Sequence, residues 1–409
     1  MSAVMNSRGG PASRDPGCGV LQLAAGESRL PDQPGQLLRD LPAQWLRDNC
    51  QCASCRDTSS GQRLVSITDQ PAEAWLTAVQ EDEDNIRVVF GPDGHESVFS
   101  RSWLLAQREP DTDERSEDAK RIWTVPDHDG PPRRSWREYL ARPGCRAQCL
   151  DTLLHDGFML LSGVPCEPAT VLGVAATLGY VRETNYGRLF DVRAMAAASN
   201  LAFTGLPIAP HTDNPYRDPV PTVQLLHCLA DAADGGQTGL VDGFGAAGIL
   251  RSERLAAFEL LARTPVTFAY ADATAELRAT RPMIGLDPRG RIREIRYNGR
   301  SLQPLRAGPG AAADDMTEFY QAYRAFAEIL IRPELMLTFK LAPGDCLVFD
   351  NTRILHARTG FAAHGQRHLQ GCYADLDGVS STLAVLRRSS EAGLAGPGSG
   401  HGSGDELAT

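Results

Sequence analysis

The sequence predicts an α+β protein: a double-stranded β-helix (jelly-roll) domain joined to a small β-rich N-terminal domain. Three observations carry this. Many short strand-like stretches are bounded by turns, and helical stretches lie between and beside them without the regular alternation of a parallel doubly wound sheet. A charged, then proline-bearing stretch divides the chain at about 106–134. Cys50, Cys52 and Cys55 crowd into the segment before it. At 409 residues, with 42% hydrophobic and 22% charged content, the chain has room for one large and one small core. A net charge of −10 argues against general binding to nucleic acid or an anionic membrane surface. No apolar run approaches the ~20 residues of a membrane span.

In chain order, residues 1–33 are rich in Gly, Pro and Ser and are read as a disordered extension. They lack the apolar core of a signal peptide, and their Gly and Pro content argues against an amphipathic transit helix. The small domain is expected over 34–105. Within it RLVSITD (63–69), AWLTAVQ (74–80) and NIRVVFGPDGHESVFS (85–100) read as strand-like, with Gly91-Pro92-Asp93-Gly94 as a turn and a short helix starting at Arg101. Residues 106–134 read as a linker. The large domain, 135–390, opens with a helix from Ser135 to His155, interrupted near Pro143 and broken by Gly157. A buried strand, Phe158 to Pro165, follows, and then a helix from Pro168 to Gly179, with the proline in its first turn. A helix at Glu253–Leu261 precedes strands at TPVTFAYA, RPMIGLD and RIREIRYNG. Met316 to Ile331 is the clearest helix, because Phe319, Tyr320, Tyr323, Phe326, Ile329 and Leu330 recur at helical spacing. MLTFKLAPGDCLVFDNTRILHAR reads as strand, Pro-Gly turn, strand and loop, and RHLQGCYADLD as the last core strand. Residues 391–409 read as a flexible Gly/Ser-rich tail.

The chemistry centres on FTGLPIAPHTDNPYRDPVPTVQLLH (203–227). His211 and Asp213, two residues apart at the end of an extended segment, point to one side of the backbone. With His356 of FDNTRILHAR they make a 2-His-1-carboxylate set, which leaves positions on a ferrous ion open for a cosubstrate and O2. Arg367 opens the last strand and is suited to pair bidentately with the distal carboxylate of a 2-oxo diacid, with Thr238 adding a hydroxyl. A zinc hydrolase built on the same His-x-Asp pair would leave Arg367 unexplained. The Cys50, Cys52, Cys55 spacing, C-x-C-x2-C, suits three thiolate ligands of a structural zinc. The remaining cysteines scatter rather than form a disulfide framework, which favours a reducing, cytoplasmic setting.

WLRDNCQCASCRD, GHESVFSRSWL, HTDNP, VQLLHC, GGQTGLVDGF, PGDCLVFDNTRILHAR and RHLQGCYADLD together resemble the gamma-butyrobetaine and trimethyllysine dioxygenase family, within the taurine-dioxygenase-like iron(II)/2-oxoglutarate oxygenases. The resemblance runs from about Leu37 to Arg388. It implies iron on His211, Asp213 and His356; 2-oxoglutarate against Arg367, Thr238 and Leu226; and zinc on the three cysteines plus His95. It implies a trimethylammonium substrate in an aromatic cage at Tyr186, Phe190, Phe203 and Tyr373, since a cation without N–H donors is held by ring faces. Two of these are phenylalanine where the family uses Tyr or Trp. Asn200 and Asn298 match positions for the substrate's carboxylate. Asn214 borders the pocket or sits in a turn, and Arg182, Arg188 and Arg193 are open candidates for a larger anionic head. The implied reaction is hydroxylation, with gamma-butyrobetaine as first substrate and trimethyllysine or trimethylaminoethylphosphonate as alternatives. The implied assembly is a homodimer. A non-catalytic binding member of the fold is the rival from another class.

Overall fold

The structure, a computed structural model, describes residues 41–107, 120–127, 130–193, 205–305, 313–361 and 367–394. The expected extension 1–33, most of the tail, Asn200 and Phe203 lie outside the described residues. The chain divides into two compact units, Met1–Asp113 and Glu114–Thr409.

In the first unit, helix α1 (Ala43–Asp48) is followed by strands β1 (Trp75–Glu81), β2 (Asn85–Gly91) and β3 (Glu96–Ser100), then α2 (Arg101–Ala106). The strands form one antiparallel sheet in the order β1-β2-β3. Alternation in β2 turns Ile86, Val88 and Phe90 inward, where they pack with Leu46, Phe99 and Leu104. Ser100 caps α2 by accepting from the Trp103 amide. RLVSITD is not a strand. Its apolar Leu64 and Ile67 are exposed, and Ile67–Asp69 forms a 3-10 turn because the Asp69 carboxylate accepts the Ser66 amide at 2.9 Å.

The second unit runs β4 (Arg133–Ser135), α3 (Trp136–Ala141), α4 (Pro143–Asp156), β5 (Phe158–Ser162), α5 (Thr170–Ala176), β6 (Phe190–Arg193), β7 (Ile208–His211), β8 (Val223–Asp231) and β9 (Thr238–Asp242). It continues with α6 (Gly243–Glu253), α7 (Leu255–Arg263), β10 (Val266–Ala271), β11 (Glu276–Arg281), β12 (Ile284–Leu286), β13 (Ile292–Ile295) and α8 (Ala313–Leu330). Then come β14 (Met336–Phe339), β15 (Cys346–Asp350), β16 (Ile354–Arg358), β17 (Arg367–Ala374) and α9 (Leu376–Leu394). The helix α9 takes in the first residues assigned to the tail. The segment expected as a linker is in part integral to this unit. Trp123 is buried against Phe158 at 5.0 Å between ring centroids, and β4 pairs parallel to β5. Helix α5 starts two residues later than the Pro168 signal, after Ala169 in the left-handed region (φ 68°).

Two sheets organise the unit: six strands in the order β4-β5-β15-β8-β17-β6 and four in the order β14-β9-β16-β7. Apart from β4–β5, every pairing within them is antiparallel. Leu226, Leu347, Phe349 and Leu369 of the larger sheet share a core with Leu240, Leu337 and Ile354 of the smaller. The larger sheet's other face buries Leu225, Val348 and Cys372 against Leu150, Leu153, Val174 and Leu383 of the helices. Where β16 begins, Arg353 and Asp242 form a fully buried ion pair at 2.7 Å. Arg353 also donates to the His155 carbonyl, and Asp242 caps α6 through the Phe244 and Gly245 amides. Leaving either charge without its partner would cost about 3–5 kcal/mol, so the pair fixes where β16 starts and hence where His356 falls.

Candidate active site

His211 is the last residue of β7, and β16 pairs antiparallel to β7 with His356 directly opposite it. The two imidazole centroids are 4.0 Å apart. His211 Nδ1 sits 2.9 Å from the Ala209 carbonyl, so it donates there and leaves Nε2 facing Asp213 Oδ1 at 3.4 Å. The strand ends before Asp213, and the residues around it fix the loop instead. Thr212 and Tyr297 exchange hydrogen bonds, Asn298 Nδ2 donates to the Thr212 carbonyl at 3.1 Å, and the Asn351 side chain brackets Asp213 by accepting its N–H and donating to its carbonyl. Asn214 turns the chain away in the left-handed region (φ 56°).

The ligand atoms of His211, Asp213 and His356 all lie within 4.8 Å of one another. Burial opposes ionisation of Asp213, but the His211 hydrogen bond and the nearby His356 and Arg300 outweigh it and hold the carboxyl well below the usual range. Burial, followed by the adjacent His211, pushes His356 down to about 3, so it is neutral at physiological pH. One carboxylate and two imidazoles are the donor set that a divalent first-row metal takes. His356 Nδ1 is moreover buried without a hydrogen-bond partner. The residues fit iron.

These groups line a cavity of about 480 Å³. Arg367, Thr238 and Leu226 line it too, and all three are buried. Arg367 Nε makes no hydrogen bond and lies 3.7 Å from Asp231 Oδ2, and burial lowers the guanidinium's pKa. A desolvated guanidinium with an unused donor, beside a hydroxyl, fits an incoming carboxylate. Arg358 also lines the cavity, its pKa pushed down to about 10 by burial and by Arg367 and Arg300.

Tyr186, Phe190 and Tyr373 face the same cavity, with Phe190 5.2 Å from Tyr373 and 6.2 Å from Tyr186. Two further rings were missed from sequence: Tyr216 and Tyr270, stacked at 5.2 Å, with Tyr270 edge-on to Tyr186. The Tyr186 and Tyr216 hydroxyls are 3.0 Å apart, and Tyr216 donates to Asn214 Oδ1. Tyr216 lies three residues after Asp213 in HTDNPY and Tyr270 in a strand already recognised, so nearness to the motif was the available signal. Asn298 and Asn214 line the cavity, although the Asn298 amide N–H is spent on Thr212. Arg182 is not in the cavity wall: it ties Asp375 to the Val220 and Pro219 carbonyls. Arg188 and Arg193 are exposed and outside that wall. Arg300, not singled out from sequence, is part of it.

In the first unit, Cys50, Cys52, Cys55 and His95 form a second cluster within 4.8 Å. His95 Nε2 is 3.2, 3.6 and 3.6 Å from the three sulfurs. A tetrahedral zinc with ordinary Zn–S and Zn–N bonds requires about 3.5 Å between S and N, so the cluster fits zinc. Arg47 donates to Cys55 Sγ and pairs with Asp93 at 3.0 Å, holding the His95 turn.

This fold and this pair of metal-suited clusters place the protein among the dioxygenases. The family model described as Taurine catabolism dioxygenase TauD, TfdA family matches residues 122–373, and the chain belongs to that family. Residues 33–105 match the model Gamma-butyrobetaine hydroxylase-like, N-terminal. The chain is 38% identical over 356 residues to a gamma-butyrobetaine dioxygenase of Pseudomonas sp. (strain AK-1), covering 84% of this chain and 90% of that one. It is 30% identical to a trimethyllysine dioxygenase of Meyerozyma guilliermondii (84% and 89% covered) and 30% identical to the gamma-butyrobetaine dioxygenase of Homo sapiens (86% and 92%). Among the described residues no helix is long and apolar enough to cross a membrane.

Proposed function

We propose that the protein is an iron(II)- and 2-oxoglutarate-dependent hydroxylase of a trimethylammonium compound, with gamma-butyrobetaine as substrate and L-carnitine as product. In this reading the larger unit is a double-stranded β-helix, supported by its two sheets, antiparallel apart from β4–β5, sharing one core. The catalytic domain, expected over 135–390, takes in Trp123 and β4 before it and the end of α9 after it, and a zinc-stabilised module spans 34–105. The observation that carries the function is that one cavity joins the His211, Asp213, His356 set, the buried Arg367 and a wall of rings.

His211, Asp213 and His356 hold the iron, and Arg367 and Thr238 hold the far carboxylate of 2-oxoglutarate, with Leu226 beside it. Iron with bound cosubstrate supplies the oxidation: 2-oxoglutarate and O2 become succinate and CO2 as one oxygen atom enters a substrate C–H bond. The chain supplies position. Tyr186, Phe190 and Tyr373, extended by Tyr216 and Tyr270, present ring faces to the quaternary ammonium and exclude water from it. Phe203 and Asn200 belong to the same proposal by resemblance. Fixing the ammonium end sets which carbon meets the metal. Asn298 orients the Thr212 carbonyl as well as facing the substrate. Cys50, Cys52, Cys55 and His95 take a structural zinc, since four protein donors leave no open position.

Arg300 favours a second reading, trimethylaminoethylphosphonate, because a guanidinium in the cavity wall suits a more strongly charged head. Trimethyllysine is the third candidate, and one relative carries that name. The nine described cysteines are free, which supports a cytoplasmic setting. A homodimer is part of the reading, checked by light scattering. The deciding experiment is succinate formation by the iron-loaded protein with each of the three candidates and choline as control, with product mass measured. Turnover is expected to be highest with gamma-butyrobetaine. Turnover with none of them, in a protein that binds no iron, would favour a non-catalytic member.

A further inference from the structure

Asp213 has two oxygens in different surroundings. Oδ1 faces His211 at 3.4 Å. Oδ2 accepts two hydrogen bonds, from Gln224 Nε2 at 2.8 Å and from the Tyr373 hydroxyl at 3.0 Å. A carboxylate oxygen offers two lone-pair sites, so these donors fill Oδ2. They are also cross-strand partners: Gln224 on β8 stands opposite Tyr373 on β17. Gln224 is 1% exposed, between β15 and β17, so its side chain has no other direction to take.

We propose that Gln224 and Tyr373 act as a two-donor clamp, with Gln224 a positioning residue, occupying Oδ2 so that Asp213 would present only Oδ1 to a metal beside His211. The inference rests on the iron assignment made above. It gives Tyr373 a second task, since the ring that walls the substrate pocket 5.2 Å from Phe190 is fixed to the ligand carboxylate by its own hydroxyl. The ring and the carboxylate are thus coupled through one hydrogen bond.

The test uses the zinc-replete full chain and titrates Mn(II), followed by its paramagnetic resonance signal, so that affinity and ligand symmetry are read without turnover. Gln224→Leu and Tyr373→Phe are each expected to weaken Mn(II) binding about 10- to 100-fold and to change the signal's anisotropy, with melting temperatures near wild type. Gln224→Met, of similar size but without an N–H donor, is expected to change the signal likewise, and it stands in should the leucine variant not fold. Folded variants with wild-type affinity and signal would overturn the clamp alone. A wild-type chain that takes up no Mn(II) at this site would overturn the iron assignment and the clamp with it.

Discussion

The two metal-suited clusters are built in opposite ways. In the small unit three donors come from one short loop and the fourth from the turn after β2, so the cluster is nearly local. In the large unit the donors come from the end of β7, the loop just after it and β16, brought together by strand pairing and by the Asn351 bonds that fix the Asp213 loop. The first surrounds its centre with four protein groups. The second offers three groups on one side and opens on the cavity. A closed site stabilises, whereas an open one leaves room for reactants. The donor sets differ accordingly: three soft thiolates with an imidazole suit zinc, and a carboxylate with two imidazoles suits iron.

Breaking one cluster should leave the other intact, and that is the largest expected effect. Asp213→Ala or His356→Ala should bring succinate formation to background while zinc content, read by elemental analysis, stays at one per chain. Conversely, Cys52→Ser should empty the zinc site and forfeit metal-binding free energy on the order of 10 kcal/mol. Scanning calorimetry should then show residues of the first unit melting early, with iron still bound by the other. Smaller is the effect of Arg367→Met. Losing a charge-assisted pair worth a few kcal/mol should raise KM for 2-oxoglutarate roughly 10- to 100-fold, with metal affinity unchanged. Smallest is the cage. Tyr186→Leu should raise KM for the ammonium substrate about 2- to 30-fold, and Phe190→Trp should lower it by a few-fold. A Phe190→Trp variant with a higher KM would show that this ring packs the fold rather than the substrate.

The sequence disclosed these sites unequally, for physical reasons. Cysteine spacing is local, so Cys50, Cys52 and Cys55 could be grouped without any fold. His356 needed a fold to stand opposite His211, and the expected double-stranded roll supplied it before the motif resemblance agreed. The strand and helix pattern was legible where apolar periodicity was strong, as in β2 and α8. It misled at 63–69, where a Ser66–Asp69 side-chain bond competes with strand pairing. What stayed hidden was whatever depends on a side chain's unused partner. Nothing in the string VQLLHC says that Gln224 donates to Asp213, or that Tyr216 and Tyr270 stack within reach of Tyr186. Arg182 looked like a free cation and is instead a tie between loops, since carbonyls carry no signature in composition.

One feature of the GGQTG stretch bears on how this enzyme can diversify. Gly236 lies in the left-handed region (φ 67°), and a side chain there would begin 3.1 Å from Arg367 Nε. Gly235, also left-handed, backs onto the Gly360 carbonyl. The guanidinium thus owes its place partly to the emptiness of the backbone beside it. At Phe190 one ring can replace another without breaking a hydrogen bond, whereas Tyr186, Tyr216 and Tyr373 each use a hydroxyl. At positions 235 and 236 almost every substitution displaces the arginine or strains the loop. A change of ring at Phe190 is therefore expected to leave the placement of Arg367 untouched.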